Sequence, residues 1–241
     1  MTDPSPSLLL ARATRQLTSG GIETPAADAR MLLCEALDVQ PAKLIFVSSV
    51  SPHDEDRFNE MVERRRSGEP TQYIVGHAWF RGLRLDVGPG VFIPRLETEL
   101  VTECAVDEAR RLVMAGSAPS VIDLCAGTGA IALAIANEVP GARVSAVELD
   151  EAALVWTHRN LADTGVEVLA GDALEAPDDG RRFDVVVTNR RICDVLMPQL
   201  CLLTSRTTNP TSHCSPGMTG WTFHVVSSTV PHSYSCRGVC S

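Results

Sequence analysis

Seven consecutive residues, Asp123-Leu124-Cys125-Ala126-Gly127-Thr128-Gly129, lie where a β-branched run gives way to a helical one. Glycines there let the backbone pass close to a ligand, and the start of a helix presents unpaired N–H groups. The pattern is not the dinucleotide fingerprint G-x-G-x-x-G, because Ala130 and Ile131 follow and no third glycine comes. Glu148 closes the next β-branched run, 19 residues after Gly129. A carboxylate at that point can accept both hydroxyls of a ribose. Asp172 follows a third run, in Gly171-Asp172-Ala173, where adenine recognition would fall. Carboxylates at three successive strand ends suit a nucleoside. The plainer reading leaves Glu148 and Asp172 as solvated loop acids or helix N-caps.

The elements that must position these groups alternate between 97 and 189. Leu100 to Met114 reads as a helix, Ser120 to Leu124 as a strand and Ala130 to Glu138 as a helix. Arg143 to Leu149 is a second strand, Glu151 to Thr164 a helix, Val166 to Ala170 a third strand and Phe183 to Thr188 a fourth. Continuous β-branched runs separated by helices imply an α/β fold with a parallel, doubly wound sheet. Residues 1–70 read instead as a small all-α module. Thr24-Pro25 marks one helix start, and Ser51-Pro52-His53-Asp54 a capping-box-like one. Gly68 and Pro70 stop the second of these helices. Arg64, Arg65 and Arg66 are best read as a solvated helix end, where cations suit the helix dipole. Residues 71–96, with Tyr73, Ile74, Val75, Trp79, Phe80, Leu83 and Leu85 alternating among glycines, read as a β-hairpin linker.

Composition limits the function classes. Hydrophobic residues make up 44% and charged residues 21% of the 241, an ordinary globular balance. No apolar run reaches the roughly 18–20 residues that a membrane span needs. The N-terminus lacks a basic region ahead of its short apolar run and does not read as a signal peptide. A net charge of −9 argues against non-specific nucleic-acid binding, which comes mostly from neutralised phosphates. The 8 cysteines include no C-x-x-C pair and no Cys/His set with zinc spacing, so no metal site is expected. A cytoplasmic location is the natural expectation.

Longer motifs carry a family resemblance. DLCAGTGAIALAIA resembles motif I of class I S-adenosylmethionine-dependent methyltransferases, and AVELDEAAL resembles their acidic second motif. TQYIVGHAWFRGLRLDVGPGVFIPRLETELV closely resembles the segment preceding motif I in peptide chain release factor glutamine N5-methyltransferases. The match covers about residues 5–189. It implies a Rossmann-like class I methyltransferase sheet at 97–189, and S-adenosylmethionine as cofactor. It implies a cofactor set of Asp123, Cys125, Ala126, Gly127, Thr128, Gly129, Glu148, Leu149, Asp172, Ala173 and Asn189. It implies a release-factor-binding role for residues 1–70, methyl transfer to the glutamine of the release factor's GGQ motif, and Asn189 and Arg95 as substrate contacts. Asn189 would be the catalytic residue, its side chain accepting a hydrogen bond from the target amide. Two departures stand out. Leu96 replaces the family's proline in IPR-P-ETE, and Cys125-Ala126 replaces Gly-Thr, so Cys125 crowds the turn if that position needs a positive φ.

The resemblance stops at Asn189. The family continues N-P-P-Y, whereas this chain reads Asn189-Arg190-Arg191-Ile192. AAC CCG CCG TAT encodes N-P-P-Y, and loss of one C gives AAC CGC CGT AT, which encodes N-R-R and opens an isoleucine codon. Composition changes at the same point. Residues 190–241 contain 15 Ser or Thr, 5 Cys and the single acid Asp194. Ser205 to Thr222, back-translated and read one base earlier, permits EPDDEPDQPLLSGHDGMD, an acidic string ending in a D-G turn. Neither a helical nor a strand period persists beyond a few residues there, so residues 190–241 are expected to be an aberrant, out-of-frame tail. The sheet would keep at most five of seven strands, and the chain would be inactive. The competing readings are a DNA or RNA adenine N6-methyltransferase, a non-catalytic cofactor-binding remnant and a nicotinamide-dependent dehydrogenase.

Overall fold

The computed structural model describes residues 3–173, 181–191 and 221–227, the last segment and residues 190–191 by backbone alone. It divides into two compact units, Met1–His77 and Ala78–Ser241.

The first unit is helical: α1 (Pro6–Ser19), α2 (Pro25–Ala36), a 3-10 turn (Leu44–Phe46), α3 (Pro52–Arg66) and α4 (Thr71–Val75). Proline opens each of the first three helices, its fixed φ suiting a position whose N–H has no helical partner. Ser5 and Ser51 cap α1 and α3 by accepting from Leu8 N and Asp54 N. Thr24 sits at the N-cap of α2 but donates to the Asp28 carboxylate instead of capping the backbone. Arg64, Arg65 and Arg66 occupy the last turn of α3 as a dipole complement, and each is engaged. Arg64 pairs with Glu69, Arg66 with Glu63, and Arg65 reaches Asp28 at 2.8 Å. Leu9, Leu17, Leu32, Leu33 and Phe58 are fully buried, each contributing about 1.5–3 kcal/mol by leaving water.

One expectation fails here. Tyr73, Ile74 and Val75 form the short helix α4, not a strand. Burial of Ile74 and Val75 among the helices decides the matter against their strand preference, and Gly76, at φ 78°, ends the turn.

A hairpin follows, β1 (His77–Phe80) and β2 (Leu83–Asp86), all of it in the second unit but His77. That unit continues as α5 (Leu96–Met114), β3 (Ser120–Leu124), α6 (Ala130–Glu138), β4 (Arg143–Glu148), α7 (Glu151–Leu161), β5 (Glu167–Ala170), β6 (Val185–Arg191) and β7 (Trp221–Ser227). The sheet order is β5-β4-β3-β6-β7. The first four strands are parallel, and β7 runs antiparallel to β6. Val121, Ala146, Val185 and Val187 pack beneath α5 and α6 with Ala105, Val106, Ile131 and Ile135, as a sheet covered by crossover helices requires. Helix α7 stops at Leu161, three residues short of the expected end, because Asp163 and Gly165 take positive φ.

Two expectations about the C-terminal segment are corrected. Strand β6 does not end at Thr188 but runs on to Arg191. The segment after Asn189 does contain a regular element, since Trp221–Ser227 forms β7 and pairs Arg191 with Trp221 through Val185 with Ser227. Trp, Thr, Phe and Val are strand-favouring residues, and β6 offers them an open row of backbone groups.

Candidate functional site at the carboxyl rim of the sheet

The order of the sheet reverses direction at β3: the chain steps to β4 on one side and later to β6 on the other. Ligands of open α/β sheets bind at such a point, outside the carboxyl ends of the strands. The register puts Leu124 opposite Val147 and Thr188, and Glu148 opposite Ala170. Cys125, Leu149, Gly171 and Asn189, each one residue beyond those positions, therefore share one rim.

The turn after β3 is held in a left-handed conformation at three points: Cys125 at φ 64°, Gly127 at 56° and Gly129 at 78°. The first is strained, because L side chains crowd the backbone there. A Cβ on Gly127 would meet nothing within 4 Å, so the space above it is open. A Cβ on Gly129 would lie 3.0 Å from Leu161, so this glycine is a close-packing one. Ala126 N donates to Val147 O at 3.0 Å, and Gly129 N to Ala126 O at 2.8 Å.

Glu148 is no solvated loop acid. It is 9% exposed, and its carboxylate ties the rim together. Gly127 N donates to Oε2 at 2.7 Å, while Leu149 N and Asp150 N donate to Oε1 at 2.9 Å each. A carboxylate offers about four acceptor positions, so one remains beyond these three. Asp150, not Glu148, caps α7, by accepting from Ala152 N and Ala153 N. Asp123 lies beneath the turn, fully buried. Its Oδ2 accepts from Ala132 N at 3.2 Å, and its Oδ1 has no partner among the described residues. Burial pushes its carboxyl up to about 8, opposed by the Ala132 hydrogen bond and reinforced by the nearby Glu148 charge.

Leu149 is 64% exposed, an apolar surface beside Glu148. Gly171 N donates to Glu148 O at 2.9 Å, which brings the loop holding Asp172 and Ala173 to the same rim. Ala173 is buried against Ile122, Leu124 and Val147, with Cys125 packed on that cluster. On the other flank, Asn189 Nδ2 donates to Thr98 Oγ1 at 2.6 Å, and its Oδ1 is buried with no partner among the described residues. Arg95 stands at the N-cap of α5, one turn before Thr98, with its guanidinium 5.4 Å over the Phe92 ring.

Several residues that shape the rim were not singled out from sequence. Thr157 Oγ1 donates to Gly127 O at 2.6 Å, and Asn160 Nδ2 donates to Thr128 O at 3.0 Å. The only hint of them was an asparagine and a threonine inside a helix, where neither is favoured intrinsically. Thr98 lay inside the quoted ETE segment without a role.

The chain is similar to known proteins over both of its units. A family model described as the PrmC N-terminal domain matches residues 9–76, and one described as a methyltransferase domain matches 121–204. A release factor glutamine methyltransferase of Streptomyces coelicolor is 46% identical over 75% of this chain and 63% of its own length. One from Bifidobacterium longum is 47% identical over 75% of this chain and 67% of its own. A 4-amino-L-phenylalanine/4-methylamino-L-phenylalanine methyltransferase of Streptomyces pristinaespiralis is 44% identical over 78% of this chain and 66% of its own. The chain thus spans just under two thirds of the length of both Streptomyces relatives.

Proposed function

The chain belongs to the release factor glutamine methyltransferase family, and from that premise we propose that its rim holds S-adenosylmethionine to methylate the side-chain amide nitrogen (N5) of the GGQ glutamine of peptide chain release factors. The residues fit such a cofactor. A Cβ on Gly127 would meet nothing within 4 Å, and the buried Asp123 Oδ1 has no partner among the described residues. Asp123, Cys125, Ala126, Gly127, Thr128 and Gly129 would cradle it, Glu148 would take the ribose, and Leu149, Asp172 and Ala173 would flank the adenine. When bound, this group supplies an electrophilic methyl on a sulfonium.

The chain's own residues then have a positioning task. An amide nitrogen is a weak nucleophile because its lone pair is delocalised into the carbonyl. Orientation, more than a strong base, must supply the activation. Asn189 suits this role: Thr98 engages its Nδ2, which leaves Oδ1 as the acceptor for an amide N–H. Arg95, one turn away on α5, is the second substrate contact. The observation that carries the proposal is this Asn189 acceptor, without a partner among the described residues, on the same rim as the Gly127 turn and Glu148. Residues 1–70 would dock the release factor, 71–96 would link, and 97–189 would form the transferase part. With a protein substrate at the ribosome, the location is the cytoplasm, and no direct nucleic-acid readout or membrane attachment is needed.

We further propose that the reading frame leaves the family at Arg190, so that 190–241 is aberrant and the chain as written turns over slowly or not at all. Calorimetry with S-adenosylmethionine and transfer of labelled methyl groups to purified release factor test both parts. Binding without transfer in the unaltered chain, and transfer restored when the single C after the Asn189 codon is put back into the gene, is the expected result. No binding at all would overturn the cofactor assignment. Full turnover by the unaltered chain would overturn the frame argument. The Streptomyces pristinaespiralis relative carries the second reading, a small aromatic amine as acceptor, and labelling of 4-amino-L-phenylalanine in place of release factor would favour it.

A further inference from the structure

One face of α7 touches two loops at once. Ala152, Trp156, Thr157, Asn160 and Leu161 recur at helical spacing, and all five face either residues 86–90 or the turn at 127–129. Asn160 does both. Its Oδ1 accepts from Asp86 N at 2.7 Å, and its Nδ2 donates to Asp86 O at 2.9 Å and to Thr128 O at 3.0 Å. Its side-chain amide thus completes one backbone residue as a strand neighbour would, and spends its second N–H on the glycine turn. Around it the fit is tight. Trp156 Nε1 donates to Pro89 O at 3.2 Å, and a Cβ on Gly88 would lie 2.5 Å from the Trp156 ring. A Cβ on Gly90 would lie 2.9 Å from Ala152. Thr157 holds Gly127 O.

We propose that Asn160 is a positioning residue that couples occupancy of the glycine turn to residues 86–91, the segment leading to Phe92 and Arg95. The inference deepens the cofactor reading above and rests on it. The physical reason is that one planar amide cannot rotate for one partner without losing the other. A ligand that fixes Thr128 fixes the Asn160 amide and, through it, Asp86. Binding of cofactor then orders the approach to the substrate side, and the two ligands favour each other's binding.

Hydrogen exchange by mass spectrometry on the whole chain, with and without S-adenosylmethionine, tests this. In the unaltered protein the ligand should slow exchange both at 126–130 and at 86–91. In Asn160→Ala the affinity for S-adenosylmethionine should fall about tenfold, the scale of one net hydrogen bond. Protection should then stay at 126–130 and vanish at 86–91. Asn160→Asp keeps the side chain's size and the bond from Asp86 N but sets a carboxylate oxygen against Asp86 O and Thr128 O, and should also uncouple the segments; slow exchange retained in β3 and β4 in both variants separates uncoupling from general unfolding. Ligand-induced protection of 86–91 that persists in both variants would overturn the proposal. If the unaltered protein does not bind the cofactor, the cofactor reading fails. The coupling is then judged without ligand by disturbing one side only: Thr157→Val, which removes the bond to Gly127 O, should speed exchange at 86–91 as well as at 126–130 in the unaltered Asn160 background and at 126–130 alone in Asn160→Ala, and a change confined to 126–130 in both backgrounds would refute it.

Discussion

Replacing Cys125 by glycine should stabilise the second unit, and alanine at the same position is the proper reference. Cys125 holds φ 64° at the end of β3, in the left-handed region. A residue with a Cβ loses roughly 1–2 kcal/mol there. Glycine is freer in the unfolded chain, which returns roughly 0.5–1 kcal/mol of that gain. The Cys125 side chain also packs on the cluster of Ile122, Leu124, Val147 and Ala173, so truncation removes some apolar contact. Alanine suffers the same truncation and retains the strained Cβ. The difference between Cys125→Gly and Cys125→Ala therefore isolates the backbone term, expected at about 0.5–1 kcal/mol in favour of glycine. For a unit of this size that amounts to about 1–4 °C in the melting temperature. Differential scanning calorimetry or fluorimetry on the three proteins reads it directly. Equal or higher stability of Cys125→Ala would show that the turn does not impose a left-handed conformation, and the reasoning about it would fall.

Three other changes have clear expected outcomes. Leu96 is the first residue of α5, 78% exposed, and follows Arg95 in extended conformation at φ −102°, ψ 153°, which suits a residue before proline. Leu96→Pro should therefore raise stability by about 0.4–1 kcal/mol in a urea titration, although proline usually breaks helices. Gly88→Ala forces a Cβ against the Trp156 ring, and a loss of about 1–3 kcal/mol with altered tryptophan fluorescence is expected; an unchanged melt would show the contact to be loose. Asp123, raised from 3.8 to about 8, binds a proton in the folded state that the unfolded chain releases. Its contribution is thus fully present below pH 3.8 and is lost as pH rises towards 8. Asp123→Asn removes that term, so melts between pH 5 and pH 8 should decline less steeply than those of the unaltered protein, and parallel declines would refute the burial argument.

The periodic parts of the fold were legible because their local and global preferences agree. Ser120–Leu124 and Arg143–Glu148 are β-branched runs bounded by turn residues, and they became β3 and β4 within a residue of expectation. Tyr73-Ile74-Val75 was misread for the opposite reason: a strand-like triplet lies next to a helical core that buries two of its members. For the site, residue types at strand ends singled out Asp123, Glu148 and Asp172, and the family resemblance singled out Asn189; chain order and parallel pairing together place such strand ends on one rim. Their partners were hidden. Nothing in the sequence tells that Thr98 will meet Asn189 across 91 positions, or that Asn160 will reach Asp86 across 74. Those pairings depend on the angle at which α5 and α7 cross the sheet, and periodicity carries no information on that angle.

The end of β6 joins the sequence departure to the architecture. In the pattern that the family resemblance implies, two prolines follow the asparagine. Proline has no N–H to give a ladder and is confined to strand starts, edges and bulges. Such a pair would halt a strand at the asparagine and turn the chain outward from the rim. Arginine restores both N–H groups and prefers no turn. Here Asn189, Arg190 and Arg191 all continue in β6, in register with Phe223, Thr222 and Trp221. The change therefore does more than remove groups from a site. It converts a chain reversal beside the cofactor rim into extended strand and shifts the place where the backbone leaves the sheet. Restoring only the tyrosine, by Ile192→Tyr, should accordingly leave methyl transfer at the level of the unaltered chain. The paired change Arg190→Pro/Arg191→Pro should speed amide exchange at 221–227, because neighbouring N–H groups point to opposite sides of a strand, so one of the two lost donors faces β7, and the proline pair ends β6 at Asn189. If exchange there stays slow with both prolines in place, the ladder does not depend on β6 continuing past Asn189 and this account of the rim is wrong.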